Sequence, residues 1–465
     1  MNTLFSYRFL FLCFVFASCN NPKDNDYSAY FGGEIINPKD KWVLFYQGEN
    51  LLDSILLDQN NRFFIRFDSL ASGLYTFKHE PEYQYVYFDK NDSIMVRINT
   101  LDFDESLVFC GRGEEKNNFL VEMYLKNQKD RNDTFYTFDL KTNEFAKKAD
   151  SSYQQILDFY QEKKKEMLWS DDFDLFARAI ADYSYYAKKE FYPIAYKRRS
   201  QEKEFPQLSK EFYNYRKNID FNNENLSDFS PYLRYITSLV DNLILLKTPD
   251  LDEQKTALAK LQTTDSLIEN AYLKNKVVNN IAFMYLMQDE KNAADTTFLN
   301  EYLKVSTDKD KKGKIEKMTA AIREITAGGF PEIKLRNTEN ELISSGNLFK
   351  RKTVVYFWSK KTENHFFAVH KKINNLAENQ NNVDFIAICL DKNFEDWKSF
   401  LAKHKNILHQ RIQHYNVSDL EELKDKWVVT RITRASVVGK NGKAEKIFAN
   451  IFEPVFEKSL ETIQE

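Results

Sequence analysis

The hydrophobic pattern of this chain changes period twice, and those two changes limit what it can fold into. From about Tyr27 to Gly113, apolar residues come in short runs such as "KWVLFYQ", "RFFIRFD", "YQYVYFDK" and "SIMVRIN". Turn residues separate them at Asn60-Asn61, Ser72-Gly73 and Asn91-Asp92. Strands of this length and spacing build a small sandwich or barrel. From about Glu114 to Ile325 the repeat becomes helical. Phe176, Ile180, Tyr183 and Ala187 fall on one face, as do Leu233, Ile236, Val240 and Leu243, and Leu273, Val277, Ile281 and Met284. Pro193, Pro206, Pro231 and Pro249 are expected to punctuate these helices. The stretch "AGGFPEIKL", 327–335, then ends the helical pattern. Beyond it strand and helix alternate: "TVVYFW", "HFFAVHKKINNLAE", "VDFIAICL", "FEDWKSFLAKH". "ASVVGKNGKAEKIF" reads as a hairpin turning at Asn441-Gly442. The expected architecture is multidomain α+β. A β sandwich or barrel occupies 29–113, a helical domain 114–326 and an α/β domain 327–465.

The first 19 residues have a different character. Arg8 supplies a positive charge and "FLFLCFVFA" an apolar stretch too short to serve as a permanent membrane span. It ends in Ala17-Ser18-Cys19, which resembles a bacterial lipoprotein box, with Phe16 where leucine is usual. The resemblance implies lipid modification of Cys19 and a lipid-anchored protein of the cell envelope; it is read as facing the periplasm, with an outward-facing placement as the open alternative. Residues 20–28 read as a tether.

Removing Cys13 and Cys19 with the leader and its lipid leaves Cys110 and Cys389 of the four cysteines. An exported chain lives where disulfides can form, yet this one carries neither a disulfide framework nor a local dithiol. Cys110 is expected to be a small buried hydrophobe in the last strand of the β domain. Cys389 is expected to lie inert in a central strand. The formal charge of −3 offers no basic excess for nucleic acid. Five of the six histidines lie in the last domain, at 365, 370, 404, 409 and 414. The last three do not share a helical face and lack zinc-site spacing, so no metal or other cofactor is expected.

Phe330-Pro331, the strand Val354 to Trp358 and the Asn441-Gly442 hairpin occur in a familiar order. Residues 329–465 resemble the thioredoxin-like domain of TlpA-type exported thiol-disulfide oxidoreductases. Residues 29–113 resemble the small β domain that precedes such domains in many bacterial lipoproteins. "GRGEEKNNFL", 111–120, resembles that domain's exit. The C-terminal domain is therefore expected to be thioredoxin-like. Aligning Phe357-Trp358 on the family's strand end places Thr362 at the nucleophilic cysteine and His365 at the resolving cysteine. Counting back from Gly442 places Thr433 at the cis-proline.

Thiol-disulfide exchange needs an attacking thiolate and a resolving thiol. Here the loop reads Thr362-Glu363-Asn364-His365. The plain reading makes it a stable helix start, with Thr362 capping through its hydroxyl and Glu363 suiting the dipole. A sharper one pairs His365 with Glu363 as acid and base, near Arg434. The chain is expected to be an envelope lipoprotein with a redox-inactive thioredoxin-like domain that binds a protein or peptide. Trp358, Thr362, Glu363, Asn364, His365, Thr433 and Arg434 would form the binding face, and no residue would be catalytic. The alternative is an oxidoreductase of weak or unconventional redox activity.

Overall fold

A computed structural model describes residues 28–200 and 204–461. The leader, Cys19 and most of the tether lie outside the described residues. The N-terminal domain is a sandwich of two four-stranded sheets. Its strands are β1 (Ala29–Ile36), β2 (Trp42–Gln47), β3 (Asn50–Leu56), β4 (Arg62–Phe67), β5 (Gly73–His79), β6 (Glu82–Phe88), β7 (Ser93–Asn99) and β8 (Val108–Arg112). One sheet has the order β4-β1-β7-β8 and the other β3-β2-β5-β6. Alternation sends one side of each strand inward. Phe31 of the first sheet meets Phe45, Phe77 and Phe88 of the second at ring distances of 5.5, 5.3 and 6.0 Å. On β8, Phe109 points inward and Cys110 outward, so Cys110 is exposed rather than buried as expected.

A short helix, α1 (Phe103–Ser106), precedes β8. The helical region comprises α2 (Glu114–Phe135), α3 (Thr142–Met167), α4 (Asp171–Arg199), α5 (Ser230–Leu245), α6 (Glu253–Leu267), α7 (Ala271–Gln288), α8 (Thr296–Val305) and α9 (Lys309–Gly328). Five start on a side-chain cap: Ser170, Asp252, Asn270, Asp295 and Asp308 each accept a backbone N–H three residues on. Pro231 sits in the first turn of α5, a permissive position. Pro193 does not end a helix as expected; it lies inside α4. A mid-helix proline frees carbonyls in the preceding turn. The carbonyl that Pro193 leaves without its helical donor is that of Lys189; on the next residue, buried Asn242 donates to Glu190 O at 2.7 Å. The Glu190 carboxylate, fully buried, pairs with Arg216 and accepts from the Tyr215 hydroxyl at 2.7 Å.

The C-terminal domain is thioredoxin-like. Its strands are β9 (Lys334–Arg336), β10 (Leu342–Ser344), β11 (Thr353–Trp358), β12 (Asp384–Cys389), β13 (Ile412–Val417), β14 (Ala435–Val438) and β15 (Ala444–Ala449). Its helices are α10 (Glu363–Asn379), α11 (Phe394–Lys403), α12 (Leu420–Trp427) and α13 (Val455–Glu461). The sheet order is β10-β9-β13-β12-β11-β14-β15, with β11, β12 and β13 parallel and β14 antiparallel to β11. Every residue of β11 is buried, as expected for a strand covered on both faces. The hairpin at Asn441-Gly442 is present, both residues having positive φ.

The two sheet faces differ in what covers them. Val354, Tyr356 and Trp358 point toward α10, α11 and α13 and form a core internal to the domain. Val355, Phe357, Ile386 and Ile388 point the other way, into a core continuous with the helical region. Ile322 and Ile325 of α9 are fully buried there, and Tyr87 carries the same core into the sandwich. Asn117 fixes that second seam, accepting from Tyr87 N at 2.7 Å and donating to Tyr87 O at 2.9 Å. Helix α9 ends at Gly329, where φ is 88° and a Cβ would lie 2.5 Å from Gly442 O. Phe330 N then donates to Gly442 O at 2.7 Å.

Trp427 closes this junction. It is 2% exposed, donates Nε1–H to Pro331 O at 2.8 Å and packs on Phe330 at 5.2 Å. Trp427→Ala should cost about 3–5 kcal/mol in chemical denaturation. Because the core is shared, the loss should appear in the helical signal as well as in C-terminal probes.

Candidate functional site

Strand β11 delivers its last residue, Trp358, to the carboxyl end of the parallel strands, where open α/β sheets place their ligands. The chain turns through Ser359-Lys360-Lys361-Thr362 and enters α10. Beneath this turn lies Asp391, just past the end of β12 and 9% exposed. Its carboxylate accepts from Ser359 Oγ at 2.6 Å and from Lys360 N at 2.7 Å. The Cys389 thiol donates to the same group at 3.3 Å, and Asn416 donates to the Asp391 carbonyl at 2.7 Å. Burial pushes the Cys389 thiol well above its ordinary pKa, and the Asp391 charge adds to this. Cys389 thus lies buried in a central strand, as expected.

The turn touches the N-terminal domain. Lys361 pairs with Asp40, and Lys39 lies 3.7 Å from Glu363. Burial works against ionisation of Asp40, but Lys361 and two backbone N–H groups outweigh it and hold the carboxyl below its usual pKa. His79, 1% exposed, supports this contact: its Nε2 accepts from Lys39 N at 3.1 Å, and its Nδ1 faces Trp42 O at 3.0 Å. That places the proton on Nδ1 and keeps the ring neutral, in line with a pKa lowered by burial.

Several expectations for the binding face change. Trp358 is fully buried and cannot be part of a surface; it packs on Phe366 at 4.8 Å and Phe400 at 5.6 Å. Thr362 occupies the N-cap position of α10, but its hydroxyl donates back to Ser359 O at 3.3 Å and does not cap the helix. Glu363 is turned to Lys39, so it does not serve His365 as an acid-base partner. His365 Nε2 lies 3.1 Å from Phe357 O, and its ring meets exposed Phe452 at 6.4 Å. Asn364 and Thr433 are exposed and Arg434 is half-buried. The segment holding Thr433 leans on the helical region: Arg431 reaches Met284 Sδ at 3.3 Å and lies 5.8 Å from the Phe283 ring centroid. Met284, expected on a buried stripe, is 42% exposed.

Behind the turn, His370 and His414 stack at 5.7 Å among Tyr356, Trp358 and Phe366. His414 lies on a strand, so helical spacing was the wrong test for it. Among the described residues, no group of three or more His, Cys, Asp or Glu is arranged to hold a metal. The residues missed in sequence are Asp391, Lys361, Asp40 and His79. Asp40 and Lys361 stand 321 positions apart, so no local signal could have joined them.

The thioredoxin-like family profile matches residues 350–444. No curated protein matches the chain. Among solved structures, a thioredoxin-like protein from Bacteroides caccae is 12% identical, with a TM-score of 0.32, covering 60% of this chain and 93% of its own. A thiol-disulfide oxidoreductase from Bacteroides fragilis is 18% identical, with a TM-score of 0.23, covering 29% of this chain and 97% of its own.

Two predictions follow from the buried groups. In a soluble form beginning at residue 20, an aromatic disulfide reagent should titrate Cys110 rapidly and Cys389 only after denaturation. Burial lowers His370 to a pKa of about 4 and His414 to about 3, against the ordinary 6.5 of histidine. The unfolded chain then takes up protons first as pH falls. Stability from these residues is complete above about pH 6.5 and is lost as pH drops toward 4. For His370 the loss is on the order of 3 kcal/mol. His370→Phe should flatten the difference between denaturation midpoints at pH 7 and pH 4.5.

Proposed function

We propose that this protein is a lipid-anchored cell-envelope component whose thioredoxin-like domain performs no dithiol chemistry and instead holds a protein or peptide partner. The observation that carries the reading is the state of the thiols around the turn. The positions matching a nucleophile and a resolver are Thr362 and His365. The nearest thiol along the sheet, Cys389, is buried and hydrogen-bonded to a carboxylate. A mixed disulfide needs an accessible thiolate, and this site offers none.

The binding face is narrower than the sequence indicated. Trp358 and Glu363 are taken up by the core and by the N-terminal domain. What remains open is Asn364, His365, Thr433 and Arg434, with Phe452 beside His365. An exposed aromatic ring flanked by hydrogen-bonding groups and a guanidinium suits an extended peptide bearing a carboxylate. The competing reading, an oxidoreductase using an unconventional thiol, rests on Cys389 at the turn or on exposed Cys110 in the sandwich.

A disulfide-reduction assay on insulin separates the two. The soluble protein should give the uncatalysed rate, unchanged in Cys389→Ser. Catalysis lost in Cys389→Ser or in Cys110→Ser would establish the enzyme. For binding, a photo-crosslinker at Asn364 in envelope membranes should capture a discrete partner, and His365→Ala with Arg434→Ala should abolish that capture. Undiminished capture would remove this face from the proposal.

A further inference from the structure

A second cavity lies away from the thioredoxin-like turn, in the helical region. It measures about 760 Å³ and opens between α5, α7 and α9. That falls within the usual size of small-molecule sites. Its floor is apolar: Leu233, Val277, Phe283, Ile315 and Met318. Its rim is cationic: Arg234, Lys276, Lys311 and Lys314. Arg234 and Lys314 are exposed and Lys276 and Lys311 half-buried, so an anion above the apolar floor would meet cations within reach of solvent.

Two carboxylates already address that rim: Asp228, 2.5 Å from Lys276, and Glu49, which comes from another domain. Glu49, on the turn between β2 and β3, lies 3.2 Å from Lys276 and 2.9 Å from Lys311. Burial opposes its ionisation, but the two lysines hold its pKa below the ordinary value. Glu49 therefore behaves as a tethered anion at the cavity mouth. It leaves the rim undersupplied: among the described residues no ion pair engages Arg234 or Lys314. On the same flank Arg131 has its pKa lowered by burial and then by Arg234, so a second guanidinium adds to the positive field.

We propose that this cavity binds a small amphipathic carboxylate, its apolar chain on the floor and its head group against Arg234 and Lys314, with Glu49 as an internal competitor for the rim. The proposal is independent of the partner-binding face. Phe283, under Arg431 of the C-terminal domain, forms the cavity wall nearest that face.

The test is calorimetric titration of the full soluble chain with decanoate, kept below its micelle concentration. Decyltrimethylammonium and the acidic dipeptide N-acetyl-Leu-Phe serve as comparison probes. Decanoate should bind saturably at one site. Arg234→Ala with Lys314→Ala should weaken it about tenfold, the scale of a lost charge-assisted contact. Met318→Trp should remove binding by filling the floor, with the helical spectrum and melting temperature showing that each variant folds. Glu49→Gln, nearly isosteric, should strengthen binding, because it frees Lys311 while Lys276 stays paired with Asp228; a nonspecific apolar association would not respond. The proposal is overturned by absence of saturable decanoate binding, by equal binding of the cationic probe, or by affinity that ignores the rim variants. Binding of the dipeptide without decanoate would overturn it too, assigning the cavity to peptides. Weaker binding in Glu49→Gln would remove the competitor role.

Discussion

The structure depends on one apolar core that belongs to two domains at once. The outer face of the thioredoxin-like sheet, with Val355, Phe357, Ile386 and Ile388, is covered in large part by the helical region rather than by helices of its own. Burying an apolar side chain is worth about 1.5–3 kcal/mol. Exposing that face would therefore cost far more than the few kcal/mol by which domains are usually stable. The helical region and the C-terminal domain are in that sense one folding unit, and α9 with Trp427 is its seam.

Given that seam, the position of the turn after β11 is fixed against the rest of the chain. It meets the N-terminal sandwich through Lys361 with Asp40 and Glu363 with Lys39, while the Thr433 segment meets α7 through Arg431. Half-exposed ion pairs of this kind contribute little to stability. Their effect is on orientation. They define which surface is left for a partner, and it is the strip from Asn364 to Phe452 rather than the whole face. Glu49 makes a parallel contact from the same sandwich into the helical cavity. One small β domain thus touches both candidate sites through single carboxylates and lysines.

Much of the architecture was legible because period is a local property. Alternation along β1 to β8, the helical stripes through Phe176, Ile236 and Val277, and Asn441-Gly442 at a hairpin each declare themselves within about ten residues. The site was less legible for an equally physical reason. Trp358 looked like the rim of a groove because it ends a strand, yet which side of a sheet is covered depends on α10 and α11 folding back over it. Thr362 has the right chemistry for a cap, but its hydroxyl found the Ser359 carbonyl first. Cys110 sits in an apolar run, but a period of two puts Phe109 inside and its neighbour outside. Pro193 read as punctuation because its neighbours in sequence carry no hint of Asn242, which braces the same stretch of α4 from another helix through Glu190 O.

The missing cysteines and the domain contacts follow from one constraint. A redox-active turn must leave its thiolate open to a second protein's disulfide and room for the mixed disulfide to form. A turn held between a sandwich lysine, a sandwich carboxylate and a buried Asp391 gives up that access. Here the residues at the positions aligned with the family's cysteines are engaged with their own chain: Thr362 with Ser359 O, His365 with Phe357 O. Restoring cysteines at 362 and 365 would therefore not restore a working enzyme by itself. The Asp40–Lys361 and Lys39–Glu363 pairs would still crowd the approach, and the Asp391 charge beneath the turn would disfavour a thiolate above it. On the proposed reading, a turn without dithiol chemistry and a fixed domain arrangement are two sides of one property of this fold.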